Sequence, residues 1–386
     1  METNTKCDNV LTIPHLPECP KTSVDGLPLA SIRDHMTRMS PHIAIEGVIL
    51  SVVEQWLNAP RSVEPIRSIQ ALIDSIRVLP RGDQRLSHMN SFVRTLGKPE
   101  VLATFLDMMR ESSGRIRTRE QKLSQMSQNA SKHCLYGWCG QTLLVLSGTE
   151  PTNGTLEPET GVRELFLGES PPAVWGLSMH IWQPNPRAKG FTSGKRAEPG
   201  IILEPPHSHP FDFASMVTIG GMYQSIYAQR NSDNALTQIN SVARAGRYDG
   251  TKLDHVYGVW PPHSHRSSSE LVTLEERVPL KAGDSYYMPC DRIHDVEIDA
   301  STASDRPTIT LFLGSEAVVK PHVFMAPAMA EFHDLHPDLK HSGRALQLDD
   351  WQAKLATTAA YLRGKNPTLN LDNIVRYDGA YAFFHA

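Results

Sequence analysis

His207 and His209 stand one residue apart in the stretch Gly200–Gly221, GIILEPPHSHPFDFASMVTIGG. If the stretch is a strand, residues i and i+2 point to the same face, so both imidazoles share one side. Two imidazoles on one side can share a metal ion, and a third ligand must then come from elsewhere. The best candidate is His294, which closes GDSYYMPCDRIH, Gly283–His294. Imidazole suits iron, copper, nickel and zinc, so the ligand type alone does not choose the metal. Three imidazoles on one side of an octahedral ion leave the other side open to a chelating substrate and dioxygen. Three histidines and a water are also the hydrolytic zinc arrangement. Asp212, three residues after His209, could replace one ligand in a two-histidine, one-carboxylate iron site. It could instead orient a ligating histidine by a hydrogen bond.

Other residues compete for roles. His263 and His265 lie in PPHSH, which repeats Pro205–His209 letter for letter. No strand-like run ending in glycine follows them, so they read as a loop pair. Tyr223, Tyr227, Tyr286 and Tyr287 lie on strands beside the two histidine motifs, and alternation should turn two of the four inward. An inward tyrosine could give a hydrogen bond or a proton to the reacting molecule, and Tyr223, Tyr287 and Asp212 are taken as the candidate catalytic residues. Barrel filling is the alternative role for such aromatics. Arg187, Arg196, Arg230 and Arg292 could anchor a substrate carboxylate.

The elements that must hold these residues fall into blocks. Residues 1–24 read as a tail. From about 27 to 130 the pattern is helical. Ile45, Val48, Ile49, Val52, Val53 and Trp56 form one stripe; Ile66, Ile69, Ile73 and Ile76 form another. Leu86, Met89, Phe92, Val93 and Leu96 make a third, stopped by Gly97. Pro99 opens a helix carrying Val101, Leu102, Phe105, Leu106 and Met109. The basic run Gly114–Lys122 reads as a solvated helix face. Residues 148–172 are a loop. Then Trp175, Leu177, Met179 and Ile181 alternate with Gly176, Ser178, His180 and Trp182, which is strand periodicity. Residues 223–228 alternate likewise, 230–250 read as loop, and short strands follow near 252–260, 271–279, 284–289, 293–299 and 307–313. Many short strands with turns between them suggest a sandwich or barrel. From about 326 the pattern returns to helix, with Asp349 as a cap and Trp351, Leu355 and Leu362 on the apolar face. The division expected is 1–24 tail, 25–170 helical, 171–325 β, and 326–386 helical, packed on the β part.

Bulk properties narrow the function classes. A net charge of −4 gives no case for nucleic acid or an anionic membrane. No apolar run reaches the ~18 residues of a membrane-spanning helix, and the first residues lack a signal-peptide pattern. The five cysteines, Cys7, Cys19, Cys134, Cys139 and Cys290, are odd in number and few, which fits a reducing, cytoplasmic setting.

The two motifs together resemble the cupin superfamily. Its first motif runs G(X)5HXH(X)3–4E(X)6G. His207-Ser208-His209 supplies the HXH, Gly220 or Gly221 the closing glycine, and Gly200 stands one place early. The second runs G(X)5PXG(X)2H(X)3N. Gly283, Pro289 and His294 match in spacing, Asp291 replaces the internal glycine, and Glu297 or Ile298 stands near the asparagine position. The motif glutamate should fall at 213 or 214, where Phe213 and Ala214 stand. The set is then three neutral histidines, similar to the thiol-dioxygenase branch, although Ala214 stands where some members carry a crosslinked cysteine. HSHPFDFAS also resembles cupins with an H-x-H-x-x-D-F-x-S pattern, in which Asp212 supports a ligand.

The resemblance covers about 171–325. It implies an α+β chain: a central double-stranded β-helix with an N-terminal helical region and a short C-terminal helical segment. It implies an Fe(II) site on His207, His209 and His294, with Zn, Mn or Ni as other metals. It implies a non-haem oxygenase whose partners are dioxygen and a small polar or anionic substrate such as an amino acid derivative; a homodimer is compatible with this. A metal-dependent isomerase, lyase or hydrolase is the alternative, as is a non-catalytic small-ligand-binding cupin.

Overall fold

The structure, a computed structural model, describes residues 41–58, 64–113, 126–128, 134–135, 138–149, 173–184, 206–230, 242–249, 266–298, 306–319, 322–325, 344–345 and 348–367. The tail, the basic run, Arg187, Arg196, His263, His265 and the strand near 252–260 lie outside these residues. The described elements mix helix with antiparallel sheet. The helices are α1 (Pro41–Asn58), α2 (Glu64–Arg77), α3 (Asp83–Leu96), α4 (Pro99–Ser112) and α5 (Leu348–Leu362). The strands are β1 (Met126–Gln128), β2 (Cys134–Leu135), β3 (Trp138–Thr149), β4 (Ala173–Pro184), β5 (Phe213–Ile219), β6 (Gly221–Arg230), β7 (Val242–Asp249), β8 (Arg266–Lys281), β9 (Ser285–Met288), β10 (Ile293–Ile298), β11 (Thr308–Gly314), β12 (His322–Met325) and β13 (Arg344–Ala345). None of the described helices is long and apolar enough to cross a membrane.

The first sheet has the order β13-β1-β3-β4-β11-β5-β9, with β2 on β3; the second has the order β10-β6-β8-β7-β12. The helical stripes form one core with one face of the first sheet. Ile49, Ile69, Phe92, Phe105 and Trp351 join Leu143, Trp175, Leu177, Met179, Met216 and Leu311 in it. The opposite face meets the second sheet: Trp182 and Val217 pack with Met222, Leu280, Val296 and Ile298. The alternation in 175–182 therefore has a simple meaning. Odd positions face the helices and even positions face the second sheet.

Several elements depart from the sequence reading: β1 and β2 lie in the N-terminal stretch read as helical and β13 in the C-terminal stretch read as helical. β3 lies inside the stretch read as helix and loop, and it pairs with β4 along its length. Leu143, Leu144, Val145 and Leu146 are all buried, so this strand shows the continuous apolar run of a strand covered on both faces rather than alternation. β7 lies in the stretch read as loop. Its VARAGRYD has little β-branched content, and pairing with β8 and β12 on both edges supplies what local propensity lacks. Asp349 falls within the first turn of α5 instead of capping it, where a carboxylate still complements the helix dipole.

Two turns set the frame of the histidine motifs. Gly220 has φ 81 between β5 and β6, and Gly283 has φ 97 between β8 and β9. Both lie in the left-handed region, where a Cβ is strained. Gly220 thus makes the turn, and Gly221 begins β6.

Candidate metal centre

The HXH segment precedes β5 instead of lying within it. His207 pairs with His294 as an isolated antiparallel bridge, each backbone N–H donating to the other's carbonyl at 2.9 Å. Residues directly opposed in such a pair project to the same side, and His209, two along, joins them. One ring nitrogen from each of His207, His209 and His294 lies within 4.8 Å of the others. Nε2 of His209 is 2.9 Å from Nε2 of His294. At that separation one ring donates to the other, or both lone pairs point at a shared cation. Among the described residues this is the one cluster with metal-ligand spacing, and the donor set, three imidazoles converging from two segments, fits a divalent ion of the borderline class.

The surroundings disfavour protonation of His209 and His294, and the neutral ring is the form that ligates. Burial drives the His209 pKa well below the ordinary value, with the His207, His294 and His180 rings adding to it. Burial does the same to His294, helped by His207 and His180. The unfolded chain titrates these rings near pH ~6.5, whereas the folded chain takes up those protons only at lower pH. Between the two values the unfolded state binds more protons, so stability falls as pH drops below ~6.5. Each such proton steepens the loss by about 1.4 kcal/mol per pH unit. Thermal melts of metal-free protein from pH 8 to pH 5 are expected to show a falling Tm below pH ~6.5. A His209→Gln/His294→Gln double variant should show a flatter profile, and coincident profiles would remove these rings as the cause.

Several side chains that the sequence did not single out complete the site. The Gln224 amide lies 3.4 Å from Nδ1 of His294; an amide can present either atom there and so set the ring's tautomer. Phe213 packs 4.8 Å from the His209 ring and 5.5 Å from the His294 ring, and stacks on Phe312. Phe211 stacks on His209. His180, on β4, faces the same interior. Its Nδ1 lies 3.3 Å from Thr310 Oγ1, and its ring meets Phe312 edge-on. The strand alternation already placed His180 with the even set of β4, but nothing local tied that set to His207.

The structure places the three candidate catalytic residues away from the rings. Tyr223 opposes Glu297 in the β6–β10 register, whereas His294 opposes Ile226, so Tyr223 faces outward. Its ring lies under Arg277, which pairs with Glu297 at 2.7 Å. Tyr227, on the same outer face, donates to Asp295 at 2.5 Å. Tyr287 opposes Ala214 on the helix side of the first sheet. Tyr286 is the tyrosine on the interior face, opposite Ser215 and 6.0 Å from Phe213. Arg292 is exposed and lies 3.7 Å from Glu275. Arg230 ends β6.

Asp212 is turned from the histidines toward Arg81, at the turn between α2 and α3. Arg81 donates Nε to Asp212 Oδ2 and Nη2 to Oδ1, both at 3.0 Å. The backbone N–H of Cys290 donates to Oδ1, also at 3.0 Å. Burial pushes the Asp212 carboxyl up, and the Arg81 and Cys290 hydrogen bonds more than reverse it, so its pKa lies below the usual carboxylate value. Burial raises the Cys290 thiol.

No protein-family model matches the chain, and no curated protein matches it. Solved structures show similarity at low identity. Hydroquinone 1,2-dioxygenase from Sphingomonas sp. TTNP3 with 4-hydroxybenzoate bound is 13% identical, over 38% of this chain and 61% of that one, with TM-score 0.19. This chain therefore spans under two thirds of that dioxygenase's length. L-ribose isomerase from Cellulomonas parahominis is 13% identical over 54% of this chain and 75% of that one, with TM-score 0.26. L-ribose isomerase from Geodermatophilus obscurus is 13% identical over 63% and 95%, with TM-score 0.25.

Proposed function

We propose that the chain is a metal-dependent enzyme of the cupin type, its two sheets forming a double-stranded β-helix, and that it acts as a mononuclear non-haem Fe(II) oxygenase on a small polar or anionic substrate. The observation that carries this is the convergence of His207, His209 and His294 with no carboxylate among them. Asp212, three residues after His209, is engaged by Arg81 and Cys290. A divalent iron held by three neutral imidazoles would keep its full charge and supply dioxygen activation beside a chelating anion. His207 and His294 bind from one backbone bridge, and His209 completes the face. Phe211, Phe213 and Phe312 pack around the His209 ring and give the site an apolar wall. Tyr286, on the interior face, takes the proton-donor role that alternation offered to Tyr223 and Tyr287.

Protein purified without oxygen is expected to carry about one iron per chain and to consume dioxygen with small anionic substrates. Stoichiometric zinc with no iron-dependent oxygen uptake would sink the oxygenase reading. A second reading has its own support: His180 adds a base to the interior face, as a Lewis-acid isomerase or lyase requires. Turnover without dioxygen would favour it.

A further inference from the structure

We infer that Arg81 is a positioning residue for the histidine cluster, holding both histidine-bearing segments through Asp212 and Cys290. The inference rests on the proposed metal site. Asp212 lies three residues after His209, and Cys290 lies four residues before His294. One guanidinium spans them. Besides its paired bonds to Asp212, Nη2 donates to Cys290 Sγ at 3.2 Å. Asp212 Oδ1 in turn accepts from the Cys290 N–H. The two loops are therefore linked to each other and to the helical layer by a single planar group.

A second grip lies one helical turn further along. Arg85, on α3, pairs with Glu316, Nη1 to Oε1 at 2.7 Å. The segment carrying Glu316 holds the histidine loop by its backbone. Ser315 N donates to the Asp212 carbonyl at 2.9 Å, and Val318 N donates to the Pro210 carbonyl at 2.7 Å. The loop from His209 to Asp212 is thus fixed on two sides by arginines four residues apart.

The burial is asymmetric. The Arg81 side chain is 43% exposed and that of Asp212 is 4% exposed. Arg81 fills no core, and an exposed ion pair alone contributes little. Its geometry is what matters: two parallel bonds fix the carboxylate plane, which a point charge does not do. Without them Asp212 keeps a buried charge with the Cys290 N–H as its main support, and both loops lose their common anchor.

The test compares wild type, Arg81→Ala and Arg81→Lys, loaded with Co(II) under anaerobic conditions. Arg81→Ala is expected to bind Co(II) about 10- to 100-fold more weakly, as when a ligand's supporting partner is removed, with shifted d–d bands. Arg81→Lys should recover thermal stability more than band position. Unchanged affinity and bands in Arg81→Ala overturn the inference. Hydrogen exchange of metal-free protein gives a second readout, and it stands even if wild type takes up no Co(II), the result that would defeat the metal site itself. Faster exchange confined to 207–212 and 290–294 supports the clamp. Unchanged exchange, or an increase spread evenly over the chain, overturns it.

Discussion

His294→Ala is expected to abolish stoichiometric metal binding while leaving the chain folded. The variant keeps the backbone bridge to His207, since both of its bonds run between main-chain atoms. It removes one of three converging nitrogens and the ring that Gln224 orients. Supporting partners alone are worth about 10- to 100-fold in affinity, so losing a ligand should exceed about 100-fold. Metal titration with a far-UV circular dichroism control checks this. Wild-type affinity in the variant would remove His294 from the centre. His207→Ala and His209→Ala should behave alike.

Trp351→Ala is expected to destabilise the chain by about 3–5 kcal/mol, the usual range for emptying a fully buried tryptophan site. Trp351 has no exposed surface, and its indole N–H donates to the Leu144 carbonyl of β3 at 2.9 Å. Truncation opens a cavity in the helix–sheet core and removes that hydrogen bond. α5 would then hold through Leu355, Ala359 and Leu362, which share that core, and through polar contacts to α4, Arg363 with Asp107 at 2.7 Å and Gln352 with the Arg110 carbonyl at 3.2 Å. Denaturant titration measures the loss. A change under about 1 kcal/mol would mean that Trp351 contributes little to the core.

The histidine cluster was legible because its spacing is local. Two histidines one residue apart, and a third at a fixed distance from Gly283 and Pro289, reflect turns whose backbone needs are visible in residue type. Gly220 and Gly283 carry that signal as left-handed φ angles. Strand and helix periods were equally local. What escaped was long-range. Arg81 and Asp212 are 131 positions apart and Arg85 and Glu316 are 231 apart, so no window of sequence contains either pair. The faces of the tyrosines escaped for another reason. Tyr286 and Tyr287 are neighbours, and one residue of register decides which faces the histidines. Asp212 read as a histidine partner because sequence distance was the only guide to its company. β3 escaped because a strand covered on both faces loses its alternation.

The place of β11 governs how the chain can be completed. It lies between β4 and β5, hydrogen-bonded to both, although those strands precede it in sequence. A ribosome delivers β4 and β5 long before the strand that joins them. Until residue 314 has emerged, α1–α4 face a sheet with a gap in its middle, and the backbone donors of 315 and 318 that secure the histidine loop have not arrived. Cooperative closure must therefore wait for late residues, a high-contact-order route that is slow and leaves strand edges open to wrong partners.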